Sequence, residues 1–143
     1  MRHWLVKSEP DAFSWDQQVA NGVEPWTGVR NAVAARNLRE MAPGDRAFFY
    51  HSNIGKEIVG VVEVVRTAYP DPTDATGRWV CVDVKALGPV PRKVTLAGIK
   101  ADPRLAELAL VRQSRLSVMP VGAEHWAILC DMAGWKDEAS RAA

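Results

Sequence analysis

The stretch Trp26-Thr27-Gly28-Val29-Arg30-Asn31 sets a large aromatic, a glycine, an arginine and an asparagine within six positions, just after Pro25 and ahead of a helical run. An aromatic in such a loop can stack on a flat ligand, while Arg and Asn side chains can read its polar edge. A structural alternative stands beside that reading: Trp26 plugs a core and Asn31 caps the next helix. A second candidate is Lys7-Ser8-Glu9. A lysine and a carboxylate at a strand end can do acid–base work when burial moves their pKa values toward neutrality. Left exposed on an extended segment, the same two residues form only a surface pair of little worth. A third is Tyr50-His51-Ser52-Asn53, where His51 beside Ser52 suggests an activated hydroxyl. Adjacent strand residues point to opposite faces, so nucleophilic catalysis is disfavoured there. Cys81 and Cys130 are far apart, with no CxxC and no His at metal-ligand spacing, and the single glycines do not space as a phosphate loop. Neither a metal nor a cofactor is expected.

The rest of the chain must position these groups. Its 143 residues suit a single domain, which at that size buries roughly 70% of its unfolded surface. Apolar residues make up 48% and charged residues 24%, ordinary globular values that argue against a disordered or fibrous chain. Six tryptophans are more than a core of this size needs, so at least one is expected to line a pocket. The net charge of +1 argues against coating duplex by charge alone, since phosphate-driven affinity scales with Lys and Arg contacts. Basic residues do gather between Arg92 and Arg115, at a local +4, where they could meet phosphates or simply form a solvated face. Reduced, buried thiols point to a cytoplasmic location. No apolar stretch is long enough for a signal peptide or membrane span, so no membrane partner is expected.

Residues 3–7 read as a first strand, with Trp4 and Val6 on one face and Leu5 on the other. A short helix over 15–20 follows Ser14, then a loop over 23–30, then a helix over 31–41, capped by Asn31, with Val33, Leu38 and Met41 as its apolar stripe and Ala34 and Ala35 in support. Strands are expected over 46–51, over 58–65 with Gly60 marking a bulge or a close approach, and over 79–85. Residues 69–74 read as a loop, and Gly88, Pro89 and Pro91 as strand breakers. Short helical turns split by Asp102-Pro103 fill 95–110, a strand is expected over 111–118, and a last helix runs over 123–133 to Gly134, with a frayed tail over 136–143. The sum is one α+β domain of five or six mostly antiparallel strands curled into a barrel and flanked by short helices.

Five strings occur in order: Trp4-Leu5-Val6-Lys7-Ser8-Glu9-Pro10, Trp26 through Asn31, Phe49-Tyr50-His51-Ser52-Asn53, Val59-Gly60-Val61-Val62-Glu63-Val64, and Arg115-Leu116-Ser117-Val118 with Pro120-Val121. Together they closely resemble the EVE domain family, the group that includes thymocyte nuclear protein. That resemblance implies a PUA-like fold, related to the YTH domains that hold a methylated adenine in an aromatic cage. It also implies a non-catalytic binding module for a modified base, cytosine especially, in DNA or RNA. By similarity Trp26 walls the base pocket, Thr27, Gly28, Val29, Arg30 and Asn31 line its entrance, and Lys7 and Ser8 form its floor. His51, Ser52 and Asn53 adjoin on a neighbouring loop, with Arg115 and Ser117 from a late strand. Ser52, Asn53 and Arg30 are the candidates for polar reading of the base, and Trp79 serves either as a second wall or in hairpin packing. Trp26→Ala is expected to abolish binding and leave the fold largely intact. With so few phosphate contacts, targeting would call for a protein partner. The alternatives are an enzyme like the related ASCH domains, acting on a nucleoside or RNA through Lys7 and Glu9, and a small-molecule or protein-interaction module.

Overall fold

A computed structural model describes residues 1–136, so the expected tail over 136–143 lies almost wholly outside the described residues. Six strands form one sheet: β1 (His3–Ser8), β2 (Val23–Pro25), β3 (Arg46–His51), β4 (Glu57–Pro70), β5 (Val80–Thr95) and β6 (Val118–Val121). Their order is β2-β5-β4-β3-β1-β6, and the pairing of β1 with β3 is parallel while the rest are antiparallel. β2 and β6 end the sheet without pairing to each other, so the curled sheet is not closed into a barrel. Five helices flank it: α1 (Trp15–Asn21), α2 (Ala32–Glu40), α3 (Leu96–Ala101), α4 (Ala109–Arg112) and α5 (Ala123–Ala133).

β1 lies between β3 and β6, and Trp4, Leu5 and Val6 are all fully buried. Both its faces are therefore covered. Asp45, itself buried, ties the start of β3 to β1 by accepting from the Arg2 N–H and from the Trp4 indole N–H, each at 3.0 Å. α1 begins with a capping box: the Gln17 N–H donates to Ser14 Oγ, and the Ser14 N–H donates to Gln17 Oε1.

Several expected boundaries move. α2 buries Ala34, Ala35, Asn37 and Leu38 while Val33 is 39% exposed, because the helix lies close against the sheet and presents its small residues to it. The loop expected over 23–30 contains β2, a three-residue edge strand too short to show a period. β4 runs on to Pro70, through part of the expected 69–74 loop. β5 continues through Gly88, Pro89 and Pro91, which were expected to break it. Its register against β4 shifts repeatedly, and such irregular ladders accommodate residues that cannot donate. The strand expected over 111–118 is instead α4 and a turn, and β6 starts at Val118. Pro120 fits within β6 because that strand is at the sheet edge. The last helix has the expected limits, with Gly134 as its left-handed cap.

Gly60 supports both of its readings, since the β3–β4 and β4–β5 registers shift beside it and a Cβ there would lie 2.5 Å from the Trp15 ring. A buried indole cannot yield that much space. Gly60→Ala is therefore expected to lower stability by about 1–3 kcal/mol, measured as a drop in the urea midpoint at unchanged slope.

Candidate nucleic-acid interface

The end of β1 and the loop after β2 meet over a cleft of about 490 Å³, within the roughly 300–1,000 Å³ typical of small-ligand sites. Lys7, Ser8 and Ser117 line one side, and Trp26, Thr27, Gly28, Val29 and Arg30 the other. Trp26 is held from three directions. Its backbone N–H donates to the Val82 carbonyl at 2.7 Å, and its ring stands edge-on to Phe49 at 5.4 Å and to Phe13 at 6.1 Å. Only 7% of Trp26 is exposed, so the residue belongs to the core, as the structural alternative has it, and it also lines the cleft.

The 27–30 loop is pinned by Asp71, which the sequence reading did not single out. Its buried carboxylate accepts from the Gly28 N–H at 2.8 Å, from Arg30 Nη1 at 3.0 Å, and from the Thr73 N–H and hydroxyl. Burial alone would raise its pKa, but the hydrogen bonds from Thr73, the Gly28 N–H and Arg30 prevail and hold it at about 2. Gly28 sits at φ 84°, a left-handed conformation that suits glycine and lets its N–H turn to Asp71. The other Arg30 arm meets Thr73 Oγ1 at 3.0 Å, so its guanidinium is engaged in holding the loop rather than free to read a base. Asp71-Pro72-Thr73 carries a local signal, since Asp ahead of Thr commonly folds back on its own backbone. Phe13, Ala12, Glu24 and Pro25 also line the cleft unannounced. Phe13 has the signature that marked Trp26, an aromatic set in a polar loop.

The remaining candidates lie elsewhere. Ser52, Asn53 and Arg115 line a second cleft of about 400 Å³, which shares Lys7 and Ser117 with the first. Asn31 faces a third depression beside Arg112 and Arg115, and its Oδ1 accepts the Ala34 N–H at 3.0 Å, so the capping alternative holds for it. His51 lines none of these clefts. Its Nε2 accepts the Trp15 N–H at 3.0 Å, fixing the first turn of α1, and burial lowers its pKa. Trp79 is half-buried on the β4–β5 hairpin, under the Arg78 guanidinium and outside these clefts.

Lys7 is the hinge of the arrangement. Its ammonium donates to the Ser114 carbonyl at 2.9 Å, burial lowers its pKa, and two N–H groups remain for a ligand. Glu9 is exposed on the rim of the second cleft and makes no ion pair with Lys7, so the pair required for acid–base work is not assembled. Among the described residues no cluster of His, Cys, Asp and Glu could hold a metal, and no helix is long and apolar enough to cross a membrane. Cys81 is a buried thiol, and Cys130 is half-buried.

Comparison with known proteins gives this geometry a setting. Residues 2–132 match the family model of the EVE domain. The chain is 36% identical to thymocyte nuclear protein 1 of Gallus gallus across 87% of its own length, and it spans 65% of that protein, just under two thirds. A Rhodopseudomonas palustris protein solved by NMR superposes at TM-score 0.90 with 58% identity over 97% of both chains. The human THYN1 protein, solved in complex with DNA containing 5-methylcytosine, superposes at TM-score 0.87 with 29% identity, covering 96% of this chain and 100% of that one. A YTH domain from Zygosaccharomyces rouxii shares the fold at TM-score 0.58 and 18% identity, over 96% of this chain and 87% of its own.

Proposed function

Because the chain belongs to the EVE domain family, we propose that it binds a modified nucleobase, a modified cytosine foremost, in DNA or RNA and performs no reaction on it. The observation behind this reading is the first cleft: it is lined by Trp26 and Phe13 together with the polar groups of Lys7, Ser8, Glu24 and Ser117, and its 27–30 loop is pinned in advance by Asp71. The human relative's complex with 5-methylcytosine DNA supports the same choice of ligand. A base entering this cleft must first leave its stack at a cost of a few kcal/mol, and stacking on an aromatic side chain returns roughly 1–3 kcal/mol.

The polar reading falls to residues other than Arg30, Ser52 and Asn53. A cytosine edge presents acceptors at O2 and N3 and a donor at its exocyclic amine. Lys7 supplies the donor. Glu24 supplies the acceptor, since one of its oxygens takes the Asn21 amide at 2.9 Å and the other is left to the cleft. A buried methyl group contributes about 0.8 kcal/mol, so a modified base should be preferred roughly fourfold over its plain counterpart. The test is binding of short single-stranded DNA and RNA oligomers carrying unmodified, 5-methyl and 5-hydroxymethyl cytosine or N6-methyl adenine. Preference for one modified cytosine is the expected result. Equal affinity across the panel, or none, removes the proposal.

A further inference from the structure

We propose that the second cleft is a backbone subsite, holding one phosphodiester of the strand whose base occupies the Trp26 cleft. This rests on the base-binding reading above. Lys7 and Ser117 line both clefts, so a strand seated at one passes directly into the other. The chemistry of the second cleft is one-sided. Ser52, Asn53, Ser114, Arg115 and Ser117 line it, and none of their side chains has a hydrogen bond or ion pair among the described residues. Other arginines of this fold are engaged: Arg30 with Asp71, Arg104 with Asp102, Arg112 with Glu107, and Arg92 with carbonyls at the end of α5. Arg115 stands exposed with its five N–H groups unspent.

Together with the Lys7 N–H group that the base leaves open, every one of these groups can donate. A phosphodiester, whose oxygens only accept, matches such a set, whereas a base edge offers donors and acceptors together. The acidic group present is Glu9, exposed on the rim. Lys7 and Arg115 against Glu9 leave one net positive charge, equal and opposite to one phosphodiester. The backbone holds the loop residues in place: the Ile54 N–H donates to the Ser52 carbonyl at 2.8 Å, a tight turn around Asn53 at φ 71°. Asparagine adopts that left-handed region more readily than other side-chain-bearing residues, and the turn places Ser52 and Asn53 at the cleft.

The test titrates an unmodified single-stranded DNA oligomer, the same oligomer with 5-methylcytosine, and free 5-methyldeoxycytidine against wild type and Arg115→Ala over a range of salt. Because Arg115 is exposed, the variant should fold as wild type does. Arg115→Ala is expected to reduce the slope of log affinity against log salt by about 0.7, the share of one phosphate on a single strand, and to leave nucleoside binding unchanged. An unchanged slope with nucleoside binding intact overturns the subsite alone. An equal loss for the nucleoside also overturns it, because Arg115 would then read the base. If wild type binds neither the oligomers nor the nucleoside at low salt, the base-binding reading falls and the subsite with it.

Discussion

Asp71→Ala is expected to lower stability by about 3 kcal/mol and to weaken binding of a modified oligomer at least tenfold, since removing a buried carboxylate that several donors share leaves those donors without an acceptor, one of the costlier single changes. The carboxylate satisfies the Gly28 and Thr73 N–H groups and one arm of the Arg30 guanidinium at once. Arg30 is 39% exposed and can turn to water, but the Gly28 N–H is directed inward and loses its acceptor. The 27–30 loop then no longer has one preferred position, and the ordering of that wall must come out of the binding energy. Asp71→Asn keeps an acceptor and loses the charge, so its effects should fall between wild type and alanine. The pH dependence has a definite sign. The folded carboxyl titrates at about 2, below the roughly 3.9 of an unfolded aspartate, so its contribution is complete above pH 4 and is lost as pH falls toward 2. Urea denaturation of both variants at neutral pH and near pH 2.5 checks this. An Asp71→Ala protein as stable as wild type at pH 7 would show that the loop does not depend on this carboxylate.

How much of this was legible in the chain depends on the range of the interaction. The start of α1 after Ser14, the cap at Asn31 and the helix stop at Gly134 are decided within a few residues, and the structure keeps all three. Gly60 was legible too, because a glycine inside a β-branched run signals a bulge or a close neighbour, although only the fold shows that the neighbour is Trp15. Pattern failed where tertiary packing chose the face. Periodicity put Val33 in the apolar stripe of α2 with Leu38, Met41, Ala34 and Ala35, and it alone of the five is left exposed, because a helix lying close to a sheet buries the smaller residues. It failed again at Pro89 and Pro91, since a shifted ladder removes the requirement for a donor that makes proline a breaker. The site divides in the same way. An aromatic beside a glycine in a polar loop marked Trp26, while the partition of the remaining candidates into two clefts depends on Lys7 standing between loops from distant parts of the chain.

Trp26 shows why a single truncation is a poor test of the cleft. The sequence reading expected Trp26→Ala to spare the fold, but the indole is 93% covered and packs edge-on against Phe13 and Phe49. Removing a buried tryptophan costs about 3–5 kcal/mol, a large part of the roughly 5–15 kcal/mol that holds a domain of this kind together. Lost binding in Trp26→Ala would therefore report unfolding as readily as a missing wall. A pair of larger replacements separates the two. Trp26→Phe and Trp26→Leu both leave an apolar side chain in the core, but only phenylalanine keeps a π face. If the ring stacks on a base, Trp26→Leu should lose about thirtyfold in affinity for the modified oligomer, the middle of the range for one stacked base, while Trp26→Phe retains most of it. Circular dichroism at the binding temperature establishes that both are folded before either is titrated. A folded Trp26→Leu protein with wild-type affinity would mean that the indole serves the core alone, and the base would then have to be held by Phe13 and the polar side of the cleft.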